Sequence, residues 1–338
     1  MDGLLTRRSL RGFLRLARFR FLLYNVLPVA LGVSAAAWTG HPVRLGWYLY
    51  AQVFAWTVHV MTHYCNEYFD LAADRANTRY TPWTGGSRAL VDGLVRPEVS
   101  LATSFLLWTA CLGLVVAMPD WPARALAALT VTLAWFYTAP PLKLNYRALG
   151  ELTVAAILNG LWPVVAVLLQ IGRVPWMLLA ILAPTAILQT ARMAVMNLGD
   201  RVSDASVGKR TIPVRLGHDR SVLLITVAQA VAYGLLTAFA VFGWVPWLVW
   251  LAMIATAPLS AWLVTRLRRG DMREGDPVTM TPVVFWASNH VSLVVCAALA
   301  GMVAELALRG RSGALPLGAV LAAYAGLFAH RLWLARKR

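Results

Sequence analysis

Apolar residues in this chain gather into long runs separated by polar, often arginine-bearing segments. The runs lie near 21–38, 46–64, 100–118, 122–138, 149–170, 175–196, 221–242, 245–265, 281–305 and 313–333. Each is close to the ~20 residues that a helix needs to cross about 30 Å of hydrocarbon. The pattern predicts an all-α, polytopic transmembrane helix bundle with ten candidate spans. No linker or low-complexity tract interrupts it, so residues 1–338 read as a single integral membrane domain. The first run is long enough to span and lacks a small-residue cleavage site. It reads as a retained helix rather than a signal peptide.

Composition agrees with that reading. The 338 residues are 59% hydrophobic and only 14% charged, with mean hydropathy +0.62, whereas soluble domains carry about 25% charged residues. The net charge of +16 could suggest nucleic acid, but its placement excludes that partner. With the N-terminus cytoplasmic, segments 1–20, 65–99, 139–148, 197–220, 266–280 and 334–338 face inward and hold 24 of the 31 Lys and Arg residues. This is the positive-inside bias of a multi-pass cell (inner) membrane protein. The terminal Arg336-Lys337-Arg338 then falls on the inner side, which favours an even number of spans. Anionic lipid and an anionic substrate remain as partners for the excess charge. Cys65, Cys111 and Cys296 show no paired spacing, which argues against a disulfide framework.

Outer connections are short, but two inner ones are long and polar. The first opens Asn66-Glu67-Tyr68-Phe69-Asp70-Leu71-Ala72-Ala73-Asp74; the second opens Asn197-Leu198-Gly199-Asp200-Arg201-Val202-Ser203-Asp204. Each has an Asn followed by two Asp four apart, at the inner end of an apolar run. On a helix, positions i and i+4 share a face, so each Asp pair projects together. Paired carboxylates at membrane depth are costly unless a cation lies between them. Oxygen-only ligands point to a hard ion such as Mg²⁺, which binds through one or two carboxylates plus substrate phosphates. The spacing therefore predicts a diphosphate bridged by Mg²⁺ to Asp70, Asp74, Asp200 and Asp204.

Other residues complete an anion site. Thr84-Gly85-Gly86-Ser87-Arg88 offers flexible N–H groups and a guanidinium, a candidate anion nest. Tyr137 and Lys143 flank Pro140-Pro141, and Lys209 follows the second motif. Lys143 and Lys209 are two of only three lysines, and Lys143 is assigned to the departing diphosphate. Asn66, Asn197, Arg88, Lys209 and Arg192 are candidate substrate contacts. Tyr64, Tyr68, Phe69, Trp135, Phe136, Tyr137 and Trp162 are candidates for electron-rich walls around an allylic cation. His59 and His63, one turn apart, lack the third ligand of a zinc site and are candidates for an acceptor pocket, His63 foremost. Arg192, buried one turn before Asn197, requires an anionic partner: diphosphate, an acceptor carboxylate or a motif aspartate.

Together, Asn66–Asp74 and Asn197–Asp204 resemble the paired aspartate-rich signatures of the UbiA superfamily of intramembrane aromatic prenyltransferases. Tyr137-Thr-Ala-Pro-Pro-Leu-Lys143, Tyr146-Arg147-Ala148-Leu149-Gly150-Glu151 and Gly208-Lys209-Arg210-Thr211-Ile212-Pro213-Val214-Arg215-Leu216-Gly217 are similar to the branch that includes 1,4-dihydroxy-2-naphthoate prenyltransferases of menaquinone synthesis. The resemblance covers roughly residues 18–305. It implies nine core helices around a central cavity, with the motifs after helices two and six. It also implies an isoprenoid diphosphate donor, two Mg²⁺ ions and an aromatic, quinone-precursor-like acceptor, in an active site open to the cytoplasmic side. Three features depart from the pattern. Glu67 stands where Asp is usual, so it is not expected as a metal ligand. His63 replaces a polar amide, and the run 313–333 adds a tenth, C-terminal helix.

Two other functions use some of the same features. A membrane terpene cyclase would share the ionising site and capture the cation intramolecularly. A transporter would also carry intramembrane acids, but here they cluster at the inner ends of spans, and no Gly/Pro-broken helix pair occupies matching positions.

Overall fold

The computed structural model describes residues 7–273 and 276–336. Lys337 and Arg338 of the C-terminal basic cluster lie outside the described residues. All regular structure among the described residues is helical. Every predicted apolar run lies on a helix, and among the described residues seven helices are long and apolar enough to cross a membrane: Ser9–Trp38, Pro97–Val116, Gly150–Ile171, Trp176–Ser206, Ile212–Val241, Trp247–Arg268 and Pro277–Leu308. Three predicted runs do not meet that measure. Leu45–Phe69 is 25 residues long but carries His59, His63, Asn66 and Glu67. Trp121–Phe136 has only 16 residues. Ala314–Arg336 is the tenth helix, and its apolar part, Ala314–His330, is also short.

The helices close on themselves. Val26–Trp38 packs against both Trp162–Ile171 and Pro277–Leu308, which joins the beginning of the bundle to its end. Gly32 allows the first of these contacts, because a Cβ there would stand 2.1 Å from the Pro163 carbonyl oxygen. Ala314–Arg336 lies outside, against Pro277–Leu308 and Val26–Trp38. Leu106 and Val241 are 73% exposed on the flanks. Such apolar side chains are stable facing lipid, where no water need be ordered around them.

The two ends differ. At one, Arg18 reaches Glu67, Lys209 reaches Asp70, Arg210 N–H donates to the Tyr146 carbonyl, and Met272 lies beside Gly199. At the other, Arg44 bonds Gln170, Gly40 approaches Arg311, and Trp176 meets Trp244 edge-on. The segments expected on one side of the membrane thus touch one another, as do those expected on the other.

Candidate active site

The first motif ends the Leu45–Phe69 helix, and a short helix, Leu71–Ala76, carries Asp74. The second motif lies in the last turns of the Trp176–Ser206 helix. Between them is a polar cavity of about 110 Å³. Asn66, Asp70, Asp74, Tyr137, Asn197, Asp200, Asp204 and Lys209 all line it, together with Thr84, Gly85 and Gly86. One site therefore draws on both motifs, although 130 residues separate Asp70 from Asp200.

Cross-links between the motifs hold it. Lys209 Nζ lies 2.8 Å from Asp70 Oδ2 and 3.2 Å from Asp204 Oδ1. Asn77 Nδ2 donates to Asp200 Oδ1 at 2.7 Å, so the loop after the first motif orients an acid of the second. Asn66 Nδ2 donates to Asp70 Oδ2 at 3.2 Å. Asn197 Nδ2 donates to Glu151 Oε1 at 2.8 Å, and the same oxygen accepts the Ile212 N–H at 2.9 Å. Glu151, fully buried, thereby ties the second motif to the start of the next helix. Gly217 (φ 75°) then breaks that helix so that the chain can rejoin the bundle.

Charge in this cavity is only partly balanced. Burial and the neighbouring Asp70 and Glu67 carboxylates push the Asp74 carboxyl well above the usual carboxylate range. Burial alone would lower the Lys209 pKa, but Asp70 and Asp204 outweigh it and raise it well above the usual lysine value. The ammonium is thus kept cationic between the two motifs. Asp70 Oδ1 and Asp204 Oδ2 are nevertheless buried without a hydrogen-bond donor. Orphaned carboxylate oxygens flanking a cationic position fit a hard divalent ion. Among the described residues no three His, Cys, Asp or Glu side chains form a ready-made metal cage.

A second, more apolar chamber of about 190 Å³ adjoins the first. Arg18, Asn66, Trp83, Tyr137, Met193 and Met196 line both. Deeper in the bundle its walls include Phe21, Tyr24, His59, His63, Trp162 and Arg192. His63 Nδ1 lies 2.8 Å from the Ala17 carbonyl oxygen, which can only accept. The proton is therefore on Nδ1, leaving Nε2 as the basic nitrogen. His59 stacks near His63 and Trp162, with ring centroids 4.5 and 5.4 Å away.

Several expected residues lie elsewhere. Lys143 does not line either chamber: the backbone turns left-handed there (φ 44°), and the ammonium rests 5.1 Å from the Tyr146 ring centroid. Tyr146 is also 5.8 Å from Lys209 Nζ, so Lys209, not Lys143, is the lysine within the acid cluster. Arg88 also lines neither chamber. Its guanidinium lies 4.5 Å from the Tyr80 ring centroid and donates to the Asp74 and Asn77 carbonyls, which fastens the glycine loop. Tyr68 lies outside because two residues of helix rotate it about 200° from Asn66; it packs edge-on against Phe69. Tyr64 and Trp135 face Phe13 and Phe105, and of the aromatic candidates only Tyr137 and Trp162 line the chamber.

Glu67 is committed to structure. Ser87 donates to it through N and Oγ, each at 2.7 Å, and the Arg18 guanidinium forms an ion pair with it. Arg18 was indistinguishable in sequence from the other N-terminal arginines, yet it lines both chambers. Asn77 was likewise hidden in the loop. Its distance from the Asn66–Asp74 motif gave no signal of its contact with Asp200.

Comparisons with known proteins bear on the fold and the family. Residues 25–277 match the model of the UbiA prenyltransferase family. A 1,4-dihydroxy-2-naphthoate octaprenyltransferase of Mycobacterium tuberculosis is 32% identical over 291 residues, covering 84% of this chain and 95% of that protein. Among solved structures, one described as digeranylgeranylglyceryl phosphate synthase superposes with TM-score 0.62 at 16% identity, covering 87% of this chain and 98% of the other. A UbiA homologue from Archaeoglobus fulgidus bound to GPP and Mg²⁺ superposes with TM-score 0.57, also at 16% identity, covering 85% and 99%. With a family match across most of its length, and two aspartate motifs that converge on one cavity within a membrane helix bundle, this chain belongs to the UbiA prenyltransferase family.

Proposed function

We propose that this enzyme transfers an isoprenoid from a prenyl diphosphate to a carbon of an aromatic, quinone-precursor-like acceptor, with Mg²⁺ as cofactor. The observation that carries this reading is the joining of the polar two-motif cavity to the apolar chamber through shared walls. A molecule with a diphosphate at one end and hydrocarbon at the other needs both environments side by side.

Asp70, Asp74, Asp200 and Asp204 would hold Mg²⁺, two ions in our reading. When bound, the metal neutralises the diphosphate and makes it a better leaving group. Lys209 and Arg18 add positive charge at the same cavity, which favours the anion as the C–O bond breaks and the diphosphate departs with the electron pair. Tyr137, Trp162, Tyr24 and Trp83 give the chamber aromatic faces, which attract the allylic cation by about 0.5–2 kcal/mol each. Their packing also excludes water, which would otherwise quench it to an alcohol. The acceptor ring carbon attacks, a C–C bond forms, and the ring proton is lost to restore the arene. His63 Nε2 is the base on the chamber wall for that proton.

In the membrane we place the N-terminus and the polar cavity on the cytoplasmic side of the cell membrane, because the basic segments gather at that end. The test is mass spectrometry of products from purified protein in nanodiscs, supplied with a panel of prenyl diphosphates and aromatic acceptors. Prenylated arenes are expected. Cyclic or hydrolysed isoprenoid as the main product, with acceptor untouched, would instead identify a cyclase.

A further inference from the structure

The tenth helix, Ala314–Arg336, contributes no residue to either chamber, yet it covers one side of the bundle that holds them. Among the described residues its close packing is confined to Val26–Trp38 and Pro277–Leu308, and it runs antiparallel to both. Its outer end is fixed. A Cβ on Gly313 would stand 2.7 Å from the Ala37 Cβ and 3.8 Å from Leu306 Cδ1, and the Arg309 guanidinium lies 4.7 Å from the Trp38 ring centroid. Counted from Gly313 at 1.5 Å per residue, Tyr324 lies about 16 Å farther in, level with Val26 and Val295. Phe328 is one turn beyond, level with Val291. Leu317, Leu321, Tyr324 and Phe328 form one helical stripe against the bundle, while Leu315, Leu327 and Trp333 are exposed on the outward side.

At that level a narrow annex of about 20 Å³ continues the apolar chamber between Val26–Trp38 and Pro277–Leu308. Tyr24, Leu158 and Arg192 line both spaces, whereas Leu27 and Val295 line the annex alone. Tyr324, 7% exposed, belongs to the same buried cluster as Leu27 and Val295. It also comes within electrostatic reach of Arg192, which is hydrogen-bonded to Tyr24. The annex has room for about one water, so it is closed to a hydrocarbon chain. The chamber itself, at about 190 Å³, is smaller than the ~300–1,000 Å³ that encloses a drug-sized molecule. A long isoprenoid tail must therefore leave it between two helices and run into lipid. The annex extends the chamber in such a direction, and the tenth helix stands across its end.

Within lipid, helices are held together by van der Waals packing and hydrogen bonds rather than by the hydrophobic effect. The inner half of the tenth helix offers its neighbours one apolar stripe, and an isoprenoid tail can replace those dispersion contacts. We propose that Ala314–Arg336 is a side gate for the isoprenoid tail, with Tyr324 and Phe328 as specificity residues for tail length. The outer end stays held at residues 309–313, and the inner end swings away as a tail passes between Leu27 and Val295. A short tail ends inside the chamber and does not meet the two rings; a long one must displace them. The inference rests on the prenyl-transfer reading above and concerns what that reading leaves open, the length of the donor.

The test uses the full-length protein in nanodiscs with Mg²⁺, a hydroxylated arene and either geranyl or octaprenyl diphosphate, and follows kcat/KM for the prenylated arene. Tyr324→Ala and Phe328→Ala should each raise the octaprenyl-to-geranyl ratio by about tenfold, the scale on which an apolar wall discriminates by size. Leu317→Ala is the control. That side chain is fully buried on the same stripe but near the outer end, so its loss should lower thermal stability in detergent and leave the ratio as it is. Tyr324→Phe, which keeps the ring, should also preserve the ratio. Phe328 is only partly buried, so its variant carries the test if Tyr324→Ala does not fold. A ratio unchanged or lowered in the folded alanine variants would overturn the inference, as would an equal rise in Leu317→Ala. If the wild type releases no diphosphate and prenylates no arene with either donor, the prenyl-transfer reading itself fails, and the inference with it.

Discussion

Lys209 follows the second aspartate motif, yet its ammonium lies 2.8 Å from Asp70 in the first. The same group is 3.2 Å from Asp204, so a single cation ties both halves of the site together. Its benefit should grow as negative charge develops on the leaving diphosphate. Lys209→Met is therefore expected to lower kcat by about 100-fold or more, the scale seen when one preorganised charge-stabilising donor is removed. Lys143→Met should lose little, because that ammonium rests on Tyr146 outside both chambers. Steady-state kinetics of the two variants decides between them, and a deeper loss for Lys143→Met would move the diphosphate contact to that residue.

Asp70→Ala and Asp200→Ala should each abolish turnover, and neither motif should substitute for the other. Both acids line one cavity and are oriented by Asn66 and Asn77 respectively. Size-exclusion profiles in detergent should be unchanged. Retention of more than about a tenth of the wild-type rate at saturating Mg²⁺, a loss of only ~1.4 kcal/mol in transition-state stabilisation, would contradict a site shared between the motifs.

Gly86 makes a steric prediction. Its backbone is left-handed (φ 76°), and a Cβ there would stand 2.0 Å from Asp74 Oδ2. A methyl group at this position must displace either the glycine loop or the carboxylate. Gly86→Ala should raise the Mg²⁺ concentration needed for half-maximal activity, measured by titrating the metal at fixed substrates. An unaltered titration would mean that Asp74 is not held by the loop.

Glu67→Gln separates structure from chemistry. The carboxylate bonds Ser87 and Arg18, so it has no free oxygen pair for a metal. The amide keeps one acceptor oxygen but loses the charge opposite Arg18. Stability should fall by about 1–3 kcal/mol, while kcat falls far less than in Asp70→Ala. Thermal unfolding in detergent, read beside turnover, checks both halves. Inactivation as deep as that of Asp70→Ala would make Glu67 a ligand.

How far the sequence revealed this site depends on the range over which each signal acts. Apolar runs and the i, i+4 aspartate pairs are local, and they pointed to the helices and to the four acids that line the polar cavity. Positive-inside counting grouped the connections by membrane side, and contacts such as Lys209–Asp70 and Arg44–Gln170 keep those groups at opposite ends. What local patterns do not carry is the direction in which a loop side chain points. Lys143 and Lys209 looked equivalent as rare lysines beside motifs; the left-handed turn at Lys143 sends one to Tyr146, and the fold brings the other between two aspartates. Arg18 and Asn77 were missed for the same reason, since their partners Glu67 and Asp200 are 49 and 123 positions away. Arg192 was recognisable as a buried charge, but only packing shows that its surroundings are donors and aromatic rings rather than an aspartate.

The central claim is that both aspartate motifs form one Mg²⁺-dependent site that ionises a prenyl diphosphate beside an aromatic acceptor. The most direct measurement counts, in one reaction, the diphosphate released and the prenylated arene formed by purified protein in nanodiscs. Both should appear in equal amounts with Mg²⁺, vanish together on chelation, return together when Mg²⁺ is restored, and be absent from Asp70→Ala and Asp200→Ala alike. Equal product formation with and without the metal, or full activity with either motif disabled, would contradict it.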